Sequence, residues 1–64
     1  MHREIYKKDE EDILYIDYNV DYLVVEITIG KISNIDGGVT ILEKYSAYNY
    51  EQIKEAKERI KKYL

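Results

Sequence analysis

The 64-residue chain carries no Cys, Trp, Phe or Pro, a single His, and a net charge of −3. A chain this short buries only about 60% of its unfolded surface, so its core barely offsets chain entropy. The missing Cys excludes disulfides and thiolate metal sites and leaves self-association as the remaining support.

Charge is unevenly spread: residues 1–48 hold ten acids and five bases, while residues 49–64 hold three acids and five bases. Duplex binding needs an uninterrupted basic stripe that releases counterions. Here Glu51, Glu55 and Glu58 interleave with Lys54, Lys57, Lys61 and Lys62 at helical spacing, which describes a solvated ion-paired face and argues against nucleic acid as a partner. No apolar run approaches the roughly 20 residues of a membrane span. Residues 1–15 are charged where a signal peptide would be greasy, so a soluble, cytoplasmic protein is the expectation. The wealth of Ile, Tyr and Lys suits an AT-rich genome, and the charge-rich, Gln-poor composition also suits a thermophile.

In chain order, residues 3–8 form a short edge strand whose lysines guard the open edge. The acidic run Asp9-Glu10-Glu11-Asp12 makes the following turn, because adjacent carboxylates repel unless spread in water. Residues 13–18 are β-rich, with Ile13 and Tyr15 facing one way and Leu14, Ile16 and Tyr18 the other. Asn19-Val20-Asp21 reads as a tight connection, since Asn and Asp tolerate left-handed backbone. A strand over residues 22–29 follows, apolar at every odd position. Gly30 reads as a bulge that shifts parity by one residue, so that Ile32 continues the face of Ile27 and Ile29. Asp36-Gly37-Gly38 is a hairpin turn, and residues 39–45 return as a strand.

From Asn49 the pattern is helical. Asn49 is the N-cap, Gln52 completes a capping box, and Tyr48 and Ile53 are spaced as a hydrophobic staple. Tyr50, Ile53, Ala56, Ile60, Tyr63 and Leu64 form one apolar stripe. The expected fold is therefore α+β over residues 1–64 as one domain: a small antiparallel meander of three to four strands with one C-terminal helix packed on one face. One helix covers one face only.

Tyr6 followed by Glu11-Asp12-Ile13-Leu14-Tyr15-Ile16 resembles the opening of a family of short uncharacterised bacterial and archaeal proteins. In that family a Tyr, an acidic turn and a Leu-Tyr-Ile strand make the first hairpin. Asp36-Gly37-Gly38-Val39-Thr40-Ile41-Leu42-Glu43 is similar to its second hairpin. This chain departs in one extra residue in the first turn and in a longer C-terminal helix. The resemblance implies no established activity.

Catalytic chemistry finds little material. The only imidazole, His2, lies beside the N-terminus, and Ser33 and Ser46 read as turn and loop residues. The carboxylates of residues 9–12 lack the alternating spacing and central Gly of a calcium loop, and Asp36-Gly37-Gly38 lacks the Lys and Ser/Thr of a phosphate loop. Glu26, alone in an apolar strand, marks a solvent side or an edge. No catalytic residue, metal ligand or cofactor is assigned.

Eight Tyr without Phe or Trp is a skewed aromatic set, which fits either codon bias or a half-wet binding surface. Tyr15 and Tyr22, joined on one face by Ile13 and Val24, are the candidate interface residues. The leading expectation is a non-enzymatic interaction module that binds itself and another protein, in the manner of small regulators or inhibitors encoded by viruses and mobile elements. The alternative is a small-ligand or nucleotide binder, with tyrosines stacking on a base and Lys54, Lys57 and Lys61 neutralising phosphate.

Overall fold

The computed structural model describes all residues 1–64. Four strands, β1 (His2–Lys8), β2 (Asp12–Asp21), β3 (Val24–Ser33) and β4 (Val39–Ala47), form an antiparallel meander in the order β1-β2-β3-β4. Helix α1 (Tyr50–Ile60) follows and ends in a 3₁₀ turn over Lys61–Tyr63. No helix is long and apolar enough to cross a membrane.

Register follows from the need to gather one apolar set on the helix side. Ile16 pairs with Ile29 and Tyr18 with Ile27, and Val25 and Ile27 pair with Ala47 and Tyr45. Ala56 and Ile60 of α1 complete this core, in which Ile16, Ile27, Ile29 and Ile60 are fully buried. Slipping any strand by one residue would turn these side chains to water.

That constraint overrides the local turn chemistry expected at Asn19-Val20-Asp21. Asn19 and Asp21 stay in the ladder opposite Glu26 and Val24, and the turn is Tyr22-Leu23, so β3 begins at Val24 and not at residue 22. Tyr22 takes φ 59° there, a left-handed conformation that costs an L-residue roughly 1–2 kcal/mol. Register decides the site of the turn.

Gly30 is not a bulge in β3. The strand runs regularly against β2, with Tyr15 opposite Gly30 and Ile13 opposite Ile32. The extra residue lies in β4, where Ile29 pairs with Glu43 and Gly30 with Ile41, leaving Leu42 as the bulge. Ile32 therefore faces away from Ile27 and Ile29. A matching irregularity in β1 between Ile5 and Lys7 leaves Tyr6 as its extra residue. Both extra side chains, Tyr6 and Leu42, pack against the helix-side core. Each edge strand thus adds one more side chain to the covered face, and the bulges twist both edges.

The end loops are tied by backbone-directed side chains. Asp9 Oδ1 accepts the N–H groups of Glu11 and Asp12, and Asn34 donates from its backbone to Glu11 O and from its side chain to Asp9 O. The bonds from Asp12 and Glu11 hold the Asp9 carboxyl below its usual range. In the second loop Gly37 has φ 75°, and Asp36 Oδ1 accepts the Gly38 N–H.

Asn49 caps α1 through the Gln52 N–H at 2.9 Å. Gln52 Oε1 reaches back to the N–H of Tyr48, one residue before the cap, at 2.7 Å. Of the expected stripe, Ala56 and Ile60 are buried and Ile53 and Tyr63 half-buried, while Tyr50 and Leu64 at its two ends are exposed. The α-helical part, about 17 Å long, is shorter than the stripe because the chain tightens to 3₁₀ after Ile60. Glu43 clamps this end to β4, accepting from Tyr63 Oη at 2.6 Å and pairing with Lys62 at 2.7 Å and Arg59 at 3.4 Å. The helix closes one face of the sheet.

Candidate functional site

The outer face of the sheet, opposite the helix, is covered by no element of the chain. Alternation places Arg3 and Ile5 of β1, Ile13, Tyr15 and Asp17 of β2, Thr28, Gly30 and Ile32 of β3, and Val39, Ile41 and Lys44 of β4 on this side. Two zones result. Towards the Tyr22 turn the rows are polar: Asp17, Thr28 and Lys44, then Asn19, Glu26 and Ser46, with Ser46 donating to Glu26 at 2.7 Å. Towards the Asp36 loop they are apolar, with Ile5, Tyr15, Gly30 and Ile41 in one row and Ile13, Ile32 and Val39 in the next.

Tyr15 is the centre of the apolar zone and its only buried side chain. It lies across Gly30, where a Cβ atom would fall 2.5 Å from Tyr15 Oη. The Arg3 guanidinium sits 4.2 Å from the Tyr15 ring centroid and is held by Asp17 through a two-pronged contact, Nε to Oδ1 at 2.6 Å and Nη2 to Oδ2 at 2.9 Å. The hydrogen bonds to Asp17 raise the Arg3 pKa further. Around this flat centre Ile5, Ile41 and Val39 remain 51%, 53% and 59% exposed, with Ile13 and Ile32 half-buried. The zone is a shallow floor of branched aliphatic side chains.

The residues expected to form one interface are only partly brought together. Ile13 and Tyr15 lie in the apolar zone. Val24 shares their face but sits eight positions along β3 from the partner of Ile13, about 26 Å away. Tyr22 is not on the face; it projects from the turn, 85% exposed. Ile5, Ile32, Val39 and Ile41 belong to the zone and escape sequence reading. The alternation Val39-Thr40-Ile41 signals two of them, and Ile32 emerges only once β3 is continued without a bulge.

The tyrosines divide by side. Tyr6 and Tyr18 both donate to Glu4 Oε1, Tyr45 donates to Gln52 O, and Tyr63 to Glu43, so four hydroxyls on the helix side are satisfied at the margin of the core. Much of the tyrosine excess is therefore structural, placing a ring in the core and a hydroxyl at its wet edge. Lys54 and Lys57 line a cleft between α1 and β1, whereas Lys61 lies beyond it and pairs with Glu58 at 3.1 Å. No group of three His, Asp or Glu side chains is placed to hold a metal ion.

Comparison with protein-family models, with curated proteins and with solved structures finds no match for this chain.

Proposed function

We propose that the chain is a non-enzymatic protein-interaction module, and that the apolar zone of its outer face takes a second copy of itself. The carrying observation is the group Ile5, Ile13, Ile32, Val39 and Ile41 around Tyr15, uncovered in a domain with only nine buried residues. At about 80 Å² each, such side chains make a patch of roughly 400 Å², the upper range for a monomer. A two-fold contact would remove about twice that, and with a polar rim it reaches the roughly 1,200 Å² at which specific interfaces begin.

Charge and shape favour a copy as the occupant. A two-fold axis running across the strands sets the row of Ile5, Tyr15, Gly30 and Ile41 over the partner's row of Lys8, Ile13, Ile32 and Val39. Ile32 then packs on the Tyr15 ring where it crosses Gly30. The same operation brings the end loops, with Glu10, Glu11 and Asp36, towards the row in which Arg3 is already taken up by Asp17 and Lys44 pairs with no acid of its own chain. The non-enzymatic reading is supported by the serines: Ser46 is engaged with Glu26, and Ser33 accepts the N–H of Ile35 in its loop.

Light scattering on the eluting protein tests the reading. At high micromolar concentration the mass should be twice the chain's 7.7 kDa. Ile41→Lys should return it to one chain with an unchanged circular dichroism spectrum, and Tyr22→Ser, outside the zone, should leave it doubled. A single-chain mass for the unaltered protein at that concentration overturns the proposal.

A further inference from the structure

On the helix side, where α1 leaves β1 and β2 uncovered, a cleft of about 250 Å³ is lined by His2, Glu4, Tyr18, Tyr50, Ile53, Lys54 and Lys57. Its walls are aromatic and aliphatic, its rim carries two ammonium groups, and its one acid is unusual in its bonding. Glu4 Oε1 receives both the Tyr18 hydroxyl at 2.9 Å and the Tyr6 hydroxyl at 3.0 Å. Oε2 receives no hydrogen bond; the ring nitrogen Nε2 of His2 stands 4.0 Å away, too far for one. Partial burial pushes the Glu4 pKa up, but the two hydroxyls, with Lys57 and His2, outweigh it and keep the carboxyl below its usual range. At neutral pH it is an anion, able only to accept.

The cations are also open. Lys57 is in no ion pair, and Lys54 reaches Glu51 only at 3.9 Å, in an exposed contact worth little. Lys54 Nζ lies 5.3 Å from the Tyr50 ring centroid, so the charge and the aromatic surface adjoin. One face of a ligand is thus offered rings, one edge an unfilled acceptor, and one end two ammonium groups.

We propose that this cleft binds a nucleotide whose base lies against Tyr18 and Tyr50, presents an amino edge to Glu4 Oε2, and directs its phosphate to Lys54 and Lys57. Stacking on an aromatic ring tolerates any base. The acceptor-only carboxylate does not: cytosine, adenine and guanine carry an exocyclic amino donor, whereas uracil has only its N3–H, flanked by two carbonyl oxygens that the carboxylate repels. The ligand is a free mononucleotide or the exposed nucleotide of a single strand, and these share the chemistry. The cleft is on the opposite side of the sheet from the apolar zone, so its occupancy does not depend on self-association.

Amide chemical shifts of the full chain, followed during titration with CMP, AMP, GMP, UMP, inorganic phosphate and a short single-stranded oligonucleotide, test this. CMP, AMP and GMP at millimolar concentration should move His2, Glu4, Tyr18 and residues 50–57, with UMP weaker. A tighter oligonucleotide identifies the strand as the source; a weaker one identifies the free nucleotide. Lys57→Ala and Tyr50→Ala change exposed side chains and should each weaken CMP binding roughly five- to tenfold with the spectrum otherwise retained. Ile41→Lys, on the other face, should bind as the unaltered chain does. Absence of any shift at millimolar nucleotide, equal shifts with inorganic phosphate alone, or indifference to both Lys57→Ala and Tyr50→Ala overturns it.

Discussion

The two faces of the sheet are closed by opposite means. On the helix side, closure is by added volume: Ala56 and Ile60 come down on Ile16, Ile27 and Ile29, and the edge bulges contribute Tyr6 and Leu42 as well. On the outer side nothing comes down. Tyr15 is buried there because a side chain is missing at Gly30 and because Arg3, fixed by Asp17, lies over the ring. One face is a core, whereas the other protects a single residue and leaves its neighbours open to water. The lesson is that an apolar pattern does not report closure, which depends on what the chain has left to place above it.

The largest expected effect is on the covered face. Ile27→Ala should cost about 2–5 kcal/mol in urea unfolding, comparable with the whole stability of so small a domain. If that variant does not fold, Ile27→Val, at about 1 kcal/mol, reports the same position. A change at Ile27 no larger than one at exposed Ile5 would break the contrast between the faces.

Gly30→Ala sharpens it by sign. In an ordinary strand Ala for Gly is stabilising by up to about 1 kcal/mol, but here the methyl group meets the Tyr15 ring and should destabilise by about 1–3 kcal/mol. Combining it with Tyr15→Leu should recover part of the loss. A stabilised Gly30→Ala protein would mean that Tyr15 is not seated on Gly30.

The covered face should also carry an acid dependence through Glu43. Hydrogen bonds from Lys62 and Tyr63 depress its folded pKa, against partial burial, so it lies below the ordinary 4.5. A carboxyl depressed on folding contributes stability that is fully present above its unfolded pKa and is lost as pH falls through the folded one. Urea midpoints should therefore fall as pH drops below about 4.5, and Glu43→Gln should flatten that limb while lowering stability at neutral pH. Equal acid slopes in the two proteins would remove Glu43 from the account.

The smallest effect concerns the rim where the faces meet. Tyr22→Gly should stabilise by about 0.5–1 kcal/mol in thermal unfolding, since Gly accepts φ 59° without the side-chain clash and gives back only part of that in chain entropy. A destabilised glycine variant would show that the Tyr22 ring makes a stabilising contact.

Legibility varied with the range of the physics involved. The helix start was readable because Asn49, Tyr48 and Gln52 interact within four residues. The Asp36-Gly37-Gly38 turn was equally local. The turn between β2 and β3 was misplaced because Asn19 and Asp21 have turn-forming chemistry, yet the pairing of Tyr18 with Ile27 fixes the ladder past them. Of the residues singled out for the interface, Ile13 and Tyr15 share the apolar zone and Tyr22 does not, because its position depends on that same register. The lysines divide likewise: Lys54 and Lys57 reach the cleft and Lys61 falls outside it, one helical turn further on.

Period-two and period-three-and-a-half patterning by itself determined that this chain is a small antiparallel sheet with one C-terminal helix, since alternation and amphipathic spacing are properties of neighbouring residues. Only the tertiary structure decided where the bulges fall, that Ile32 joins Ile5 and Ile41 on the open face, and that Tyr15 is sheltered by Gly30 and Arg3. Those outcomes come from pairing residues in different strands, seven to nineteen positions apart. A single unpaired residue in an edge strand reverses the facing of everything beyond it, and no local preference encodes that count.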